Sequence, residues 1–525
     1  MKTHTKLFAL FFIFFYPFLL LAHSKPNIIV IYVDDLDCDE LGVLGNKELL
    51  TPNIDLLAKE GLIFNQAFVT SSICTPSRYG VLTGRYASRS QPLQNIPSSS
   101  WRNRNYPAGG EANVHFNAIL GPGEKTIANH LQAAGYKTGI VGKWHLGRGP
   151  RGYKEEKLWF PKGVRPESQE GQRRIGDFYE NCVQYVKKNY GFDFVDGFYS
   201  NNARALGSTG YPSEYAHHNP EWMTARGIDF IEHNKEEPFF LYYALTLPHG
   251  EGMQIVETLV DADPLLTPGG KLDALPESGM PSRKSVLERI KKAGLPEVSA
   301  GMLWVDDAVG SLLNKVEECG LTENTAVFFI SDHGNYAKEA LYDGGAQVPY
   351  FVKWPKVIAK DQVCSEYVAN IDVAPTLLEM ARFSVEDPFD GVSIYSLLKG
   401  NKEPVRQHLM LEVGYGRAIM TKDWKYIALR FPDFELPEIE KQGGLTNVNY
   451  NASSASKNFR KNGVRYYPQH YYDFDQLYDR KQDAREQNNL FKNPEYAPQL
   501  KKMKTLLAQS LEKMPHTFAE IKPKK

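Results

Sequence analysis

A chain of 525 residues, 42% of them hydrophobic and 23% charged, has ample length for a large core and for two to four domains. Its 61 basic residues stand against 62 acidic ones, a formal net charge of −1, which argues against a nucleic-acid binder and leaves only a local basic pocket for an anionic ligand. Five cysteines (Cys38, Cys74, Cys182, Cys319 and Cys364) are too few, and odd in number, for a disulfide scaffold.

Lys2 and Lys6 precede an apolar run from Leu7 to Ala22, broken by Pro17, and Ala22-His23-Ser24 places small residues at the −3 and −1 positions. This pattern predicts a cleavable secretory signal over residues 1–24 and a periplasmic or secreted protein. The run is short and proline-broken for a transmembrane span, with an uncleaved anchor as the alternative. No cysteine closely follows it, which argues against a lipoprotein, and the low cysteine count suits the bacterial periplasm.

Asn27 to Val33 (NIIVIYV) is a continuous β-branched run that reads as a fully buried strand ending in Asp34-Asp35. Thr51-Pro52-Asn53 opens a helix to Lys59, closed by Gly61, and Leu62 to Val69 is a short strand leading to Cys74. Glu124 to Ala134 is a helix, and Lys137 to Val141 a strand followed by Gly142-Lys143-Trp144-His145-Leu146-Gly147. Arg148 to Asn202 is polar, aromatic and irregular, and reads as a surface insertion that shapes a pocket. Trp222 to His233 is helical, and Pro238 to Leu247 is a buried strand ending in Pro248-His249. Gly250 to Pro296 reads as a second insertion with a helical patch near Val286 to Lys292. Met302, Val305, Val309, Leu312, Leu313 and Val316 then mark an amphipathic helix. Thr325 to Ile330 is a strand ending in Ser331-Asp332-His333-Gly334, and Val348 to Val352 is another. Beyond Gly400, Lys422 to Leu429 and Arg465 to Leu477 read as antiparallel strands, Phe431 to His470 as a polar insertion, and Tyr496 to Met514 as a final helix.

Strands alternating with helices predict an α/β fold: a large, mostly parallel sheet sandwiched by helices, with a smaller C-terminal α+β domain carrying an antiparallel sheet. The expected division is a signal over 1–24, a catalytic domain over 25–402 and the C-terminal part over 403–525. Ligands in such sheets bind beyond the carboxyl ends of the strands. Asp34-Asp35, Lys143 with His145, His249 and Asp332-His333 all fall at such ends, so one shared site is expected.

The stretch this site would serve is Cys74-Thr75-Pro76-Ser77-Arg78-Tyr79-Gly80-Val81-Leu82-Thr83-Gly84-Arg85. Pro76 suits the first turn of a helix, so Cys74 would stand at a helix N-terminus, where free N–H groups and the dipole favour a developing anion. Arg78 lies one turn on. On Cys and Pro alone, a buried thiol before a helix is the alternative. Asp34, Asp35 and Asp332 are hard oxygen donors of the kind Ca²⁺ or Mg²⁺ takes, although in isolation Asp34-Asp35 also fits a solvated acidic turn.

The string Cys-x-Pro-Ser-Arg-x-x-x-Leu-Thr-Gly-Arg resembles the type I sulfatases of the alkaline-phosphatase-like superfamily, with every fixed position present. Asp372-Val373-Ala374-Pro375-Thr376-Leu377-Leu378, Gln476-Leu477-Tyr478-Asp479 and Asn488-Asn489-Leu490 also resemble segments of bacterial polysaccharide sulfatases. The resemblance implies oxidation of Cys74 to formylglycine by a sulfatase-maturing enzyme. It further implies one Ca²⁺ held by Asp34, Asp35, Asp332 and His333 with an oxygen of modified Cys74. Many relatives have Asn where His333 stands, and an imidazole is a softer ligand, which leaves the metal's identity open. By the same resemblance His145 contacts the nucleophile's hydroxyl, Lys143 and Lys338 bind sulfate oxygens, Arg78 supports the charge, and His249, with Lys338, protonates the leaving oxygen. The family commonly reads Tyr-Glu-Gly-Gly-x-Arg where this chain has Tyr342-Asp343-Gly344-Gly345 and Gln347, which predicts altered packing or substrate fit. With Cys74 set aside, the other four cysteines leave disulfides open.

The substrate expected is a sulfated glycan, an algal ulvan, carrageenan or fucoidan ahead of host glycosaminoglycans. Trp159, Phe160, Tyr185, Tyr190, Phe198 and Tyr199 are candidates to stack on sugars, or else pack ordinary loops. Neither a nucleic-acid partner nor stable membrane insertion is expected. The rival readings are a phosphate or phosphonate monoester hydrolase, for which His217-His218 is the nominee for a second metal, and a non-catalytic glycan-binding protein. The Asn451-Ala452-Ser453 sequon is uninformative.

Overall fold

The computed structural model describes residues 25–95, 112–147, 163–203, 206, 211–250, 252–386, 389–432, 437, 470–471 and 473–518. The expected signal segment, Trp159, Phe160 and the Asn451 sequon lie outside them.

β1 (Asn27–Val33) is buried along its whole length. Strand alternation sends Ile28, Val30 and Tyr32 into one core layer and Ile29, Ile31 and Val33 into another, so the run has no polar face to show. The other strands before residue 300 are β2 (Leu62–Phe64), β3 (Ala67–Phe68), β4 (Lys137–Lys143), β5 (Phe194–Tyr199), β6 (Phe239–Ala244), β7 (Leu266–Thr267) and β8 (Gly270–Lys271). They are followed by β9 (Thr325–Ser331), β10 (Tyr350–Lys353), β11 (Gln362–Cys364) and β12 (Val368–Ala369).

Eight of these form one sheet in the order β11-β2-β10-β9-β1-β6-β4-β5. Only β10 runs against the rest, antiparallel to both β9 and β2. Helices Ile127–Ala133 and Val373–Met380 contribute to the core layer on one face. Helices Pro52–Lys59, Pro220–Asn234 and Ala300–Glu318 contribute to the other. β9, β1, β6 and β4 are consecutive neighbours, so the polar residues that follow them emerge side by side at one edge. This is the geometry expected of a parallel sheet that binds a ligand at its carboxyl ends.

The C-terminal sheet is antiparallel, in the order β13 (Leu409–Val413), β14 (Gly416–Met420), β15 (Trp424–Leu429) and β16 (Asp475–Asp479). Helix Ala497–Leu511 packs on it through Met503 and Leu507. β13 and β14 add two strands to the two expected.

Two expectations are corrected. Residues 148–202 are not an irregular insertion: helix Gln169–Tyr190 and strand β5 occupy most of the described part. Tyr190, Phe198 and Tyr199 are core residues, at most 1% exposed, and Tyr185 packs against that core with its hydroxyl 3.0 Å from Tyr190 Oη, so none is a sugar platform. Residues 250–296 contain helix Gly252–Asp261 in addition to the expected helical patch, which is Arg283–Lys292. All five cysteines are free, and no described helix is long and apolar enough to cross a membrane.

Candidate active site

Cys74 is the first residue of helix Cys74–Thr83 and is fully buried, and every other residue of that helix is buried too. Ile73 precedes it in extended conformation and offers no side-chain cap, so the amides of the first turn face the site. Tyr32, from β1, fixes the helix by meeting Ser77 Oγ at 2.8 Å. Burial raises the Cys74 thiol well above its ordinary range against the pull of Lys143 and Lys338. The encoded residue is therefore a neutral thiol and a poor nucleophile.

Adjacent residues on an ideal strand face opposite ways, yet Asp34 and Asp35 both enter the site. The reason is Asp35's φ of +63°, which turns the chain just past β1. Its amide donates to Asp332 Oδ1 at 3.0 Å, tying the ends of β1 and β9 together. His145 has a φ of +57°. Such non-glycine backbone costs about 1–3 kcal/mol each and is held at functional sites by its surroundings. At Gly142 the strand register shifts, and a Cβ there would lie 1.9 Å from the Ala244 carbonyl oxygen, so only glycine lets β4 deliver Lys143 this close to β6.

One ligand atom from each of Asp34, Asp35, Cys74, Asp332 and His333 lies within 4.8 Å of all the others, and all five residues are buried. Cys74 Sγ is 3.2 Å from His333 Nε2, which is itself 3.0 Å from Asp35 Oδ1. Asp34 Oδ1 is buried without a hydrogen bond. Three hard carboxylates, an imidazole nitrogen and an orphaned carboxylate oxygen fit a divalent cation with a preference for oxygen. Among the described residues this is the one such cluster of three or more, and His217 and His218 are not part of another.

Cations balance the carboxylates. Arg78 reaches Asp332 Oδ2 through Nε at 3.2 Å and Nη2 at 2.9 Å, and donates from Nη1 to the Lys143 carbonyl at 3.1 Å. Lys143 Nζ is 2.6 Å from Asp34 Oδ2, and Lys338 Nζ is 2.6 Å from Asp35 Oδ2. Burial works to raise Asp34 and Asp35, but the cations win. Lys143 and Arg78 hold Asp34 well below its ordinary range, and Lys338 does the same for Asp35. Asp332 is raised, by burial first and then by Asp34. Asp37 stands outside the cluster: its Oδ1 accepts from the Asn335 amide at 2.8 Å and so shapes the loop that carries Lys338.

His249 Nε2 lies 3.8 Å from Asp35 Oδ2, and burial lowers its pKa to about 4. His145 is lowered well below its ordinary value by burial, then by Lys143 and Arg78, and its Nδ1 is buried without a partner. The structure thus gathers Cys74, Arg78, Lys143, His145, His249, Lys338, Asp34, Asp35, Asp332 and His333 at one sheet edge.

Two contributions, that of Asn202 and the positioning role of His218, were not legible beforehand, while Asp343 shows the altered packing expected of it. Asn202 Nδ2 is 3.1 Å from His249 Nε2. His218 meets Thr246 Oγ1 at 2.9 Å and hydrogen-bonds the His249 backbone, so it holds the loop that carries His249. Asp343, the departure in the Tyr342 segment, is an anchor to the C-terminal sheet through Lys425 and through Arg480 at 2.7 Å. Gln347 donates to the Asn65 carbonyl at 3.1 Å. For Asn202 the one available signal was its place just past an aromatic strand, too weak to assign a role.

Comparison with known proteins follows the same line. The model of the Sulfatase family matches residues 26–383, and that of the N-sulphoglucosamine sulphohydrolase C-terminal region matches residues 331–437. An arylsulfatase of Clostridium perfringens is 27% identical over 444 residues, 77% of this chain and 85% of that protein. An ulvan-active sulfatase of Formosa agariphila is 26% identical over 483 residues, 90% of this chain and 77% of that one. A Bacteroides thetaiotaomicron structure, solved in work on that organism's metabolism of multiple glycosaminoglycans, has the same fold. It aligns with a TM-score of 0.60 at 21% identity, over 93% of this chain and all of its own.

Proposed function

The chain belongs to the sulfatase family, and from that premise we propose that it hydrolyses sulfate esters on a sulfated glycan through a formylglycine made from Cys74. The observation that carries this reading is the packing of Asp34, Asp35, Asp332 and His333 against Cys74 within one buried cluster, with Lys143 and Lys338 bound to its carboxylates. The formylglycine hydrate supplies a hydroxyl nucleophile for sulfur and a second hydroxyl that lets the residue return to the aldehyde. A Ca²⁺ on Asp34, Asp35, Asp332 and His333, with the Cys74-derived oxygen, supplies fixed positive charge for the sulfate oxygens.

The remaining work falls to the chain's own side chains. Lys143 and Lys338 bind non-bridging sulfate oxygens in a water-poor site, where preorganised charge counts most. Arg78 holds Asp332 in place and adds to the positive field. His249 protonates the departing sugar oxygen, with Lys338 beside it. His145, neutral because it is buried among cations, accepts the proton of the second hydroxyl at its unpartnered Nδ1.

The ulvan activity of the Formosa relative supports an algal polysaccharide as substrate, ulvan, carrageenan or fucoidan. A formylglycine-generating or sulfatase-maturing enzyme is the partner this chemistry requires. Export to the periplasm or medium rests on the pattern of residues 1–24. The division near residue 402 belongs to the same proposal, although the core under β13–β16 also takes in Phe68, Ile73, Leu341 and Tyr342 from before that boundary.

Parallel assays of sulfate and phosphate monoesters, with and without chelator, test the reading. Sulfate release that chelation abolishes is expected, and preferential hydrolysis of phosphate monoesters would replace it with the phosphoryl-transfer alternative.

A further inference from the structure

Gln476-Leu477-Tyr478-Asp479 and the Asn488-Asn489-Leu490 that follows carry part of the resemblance, yet the proposed chemistry uses neither. Between them the chain folds into a tight turn. The Asp483 amide donates to the Asp479 carbonyl at 2.8 Å, the Glu486 amide to the Asp483 carbonyl at 3.0 Å, and the Asn488 amide to Asp483 Oδ2 at 2.7 Å. Asn489 ties the turn to β16: its Oδ1 accepts from the Leu477 amide at 3.0 Å and its Nδ2 donates to the Asp475 carbonyl at 3.1 Å. Glu486 stands inside this turn at a φ of +55°, a left-handed conformation that a non-glycine residue keeps only where its surroundings require it. The turn delivers a glutamate that is 1% exposed, aimed into the protein and away from solvent.

The Glu486 carboxylate meets Lys425 of β15 and the turn at Asp343. Its Oε1 is 2.6 Å from Lys425 Nζ, and its Oε2 accepts from the Asp343 amide at 2.7 Å. Lys425 is fully buried, binds the Asp343 carboxylate as well, and donates to the Leu341 carbonyl at 3.1 Å. Arg480 Nη2 lies 2.7 Å from Asp343 Oδ2. Burial works to lower Lys425, but Asp343 and then Glu486 raise it, so its ammonium persists in the interior. Removing one member of such a group leaves the others buried without their counter-charge.

From Asp343 the path to the active site is short. The Ala337 amide donates to the Gly344 carbonyl at 3.1 Å, and a Cβ on Gly345 would lie 2.1 Å from the Ala337 carbonyl oxygen. The Asp343 turn therefore sits directly on the residue before Lys338. On the other side of Lys338, Glu339 has a φ of +67° and its amide donates to the Ser72 carbonyl at 2.9 Å. Ser72 Oγ donates to the Ala340 carbonyl at 2.5 Å. Lys338 is gripped from both sides, by the segment that leads to Cys74 and by a turn whose own support is the C-terminal sheet.

Resting on the sulfatase reading, we propose that Lys425 and Glu486 are positioning residues for the reaction. Through Asp343 they fix the Lys338 ammonium for the sulfate, which makes the C-terminal sheet part of the catalytic apparatus. Both are buried and act only through Lys338. Misplacing a reacting group by about 1 Å can cost on the order of 10²-fold in rate, so a remote brace of this kind has a measurable kinetic effect.

A double-mutant cycle tests the brace. In K425M, kcat/KM on 4-nitrophenyl sulfate is expected to fall at least tenfold. In a K338A background the same change is expected to cost less than threefold, because the group it positions is gone. E486A repeats the cycle while leaving Lys425 paired with Asp343, and decides the matter if K425M does not fold. E486Q, which keeps an acceptor for the Asp343 amide, is expected to recover most of the loss. An equal fold loss with and without Lys338, or no loss, would reduce the group to a fold-stabilising one and overturn the proposal. Calorimetry of inorganic sulfate on C74A, C74A/K425M, C74A/K338A and the triple variant runs the same cycle without turnover. K425M is expected to weaken sulfate binding at least fivefold only where Lys338 is present. That coupling, in a protein that releases sulfate from no ester, would sink the sulfatase reading and leave the brace standing. Sulfate release with losses independent of Lys338 in both cycles would do the reverse.

Discussion

His333 faces Asp35 with Nε2 only 3.0 Å from Oδ1, while its Nδ1 is 3.0 Å from the Gly334 carbonyl. The carbonyl fixes a proton on Nδ1, so in the neutral ring Nε2 and the carboxylate meet lone pair to lone pair. A cation relieves that contact, and the Asp34 carboxylate of the same cluster, whose Oδ1 is buried without a hydrogen bond and lies 3.5 Å from Arg78 Nη2, favours one. Calcium at a hundredfold excess over its Kd is expected to stabilise the wild type by about 2.7 kcal/mol. D35N and H333A are expected to lose most of that gain. Thermal melts with calcium and with chelator read it, and equal gains in all three proteins would move the ion elsewhere.

Arg78 is fully buried and its guanidinium is committed to Asp332 and the Lys143 carbonyl. R78A leaves Asp332 a buried charge without its partner, and a loss of about 3–5 kcal/mol in stability is expected. R78K restores charge but not the paired N–H donors, so it should recover most of the stability and still fall at least tenfold in kcat. Denaturant melts and steady-state kinetics on both variants check this.

His249 acts on the leaving group, so its worth depends on how much help that group needs. H249A is expected to lower kcat on a sulfated sugar by about 10²–10⁴-fold. The effect on 4-nitrophenyl sulfate, whose phenolate departs readily, should be at least tenfold smaller. Equal losses on both esters would assign His249 to sulfate binding.

His218 is buried, and burial first, then His249, depresses its pKa from 6.5 to about 3. For a base with a depressed folded pKa, the neutral form stabilises the fold fully above pH 6.5 and loses that contribution as pH falls toward 3. By pH 5 the loss attributable to His218 is about 2 kcal/mol. H218Q, which cannot protonate, is expected to be less stable than the wild type at pH 7.5, because the hold on the His249 loop is weakened, with the gap narrowing by pH 5. Melts across that range decide it, and a gap that widens on acidification contradicts the assignment.

The site was legible at β1 and β9 because each is a largely apolar run followed at once by carboxylates, at Val33-Asp34 and Ser331-Asp332. Helix Gln169–Tyr190 was missed because its buried stripe, Ile175, Cys182, Val183, Val186 and Tyr190, is diluted among charged residues that face outward. Helix Gly252–Asp261 was hidden by the glycines and prolines on either side of it. Asp343 reads as a change near the site. Its partners Lys425 and Arg480 lie far along the chain, and only the fold shows that it ties the Lys338 loop to the C-terminal sheet.

The central claim concerns the chemical state of one residue. The mass of the proteolytic peptide spanning Cys74, taken from protein co-produced with a maturing enzyme and active on a sulfate ester, tests it most directly. The peptide is expected to be lighter by the difference between a CH₂SH and a CHO side chain, in proportion to specific activity across preparations. Full activity in protein whose Cys74 is still a thiol would contradict the account.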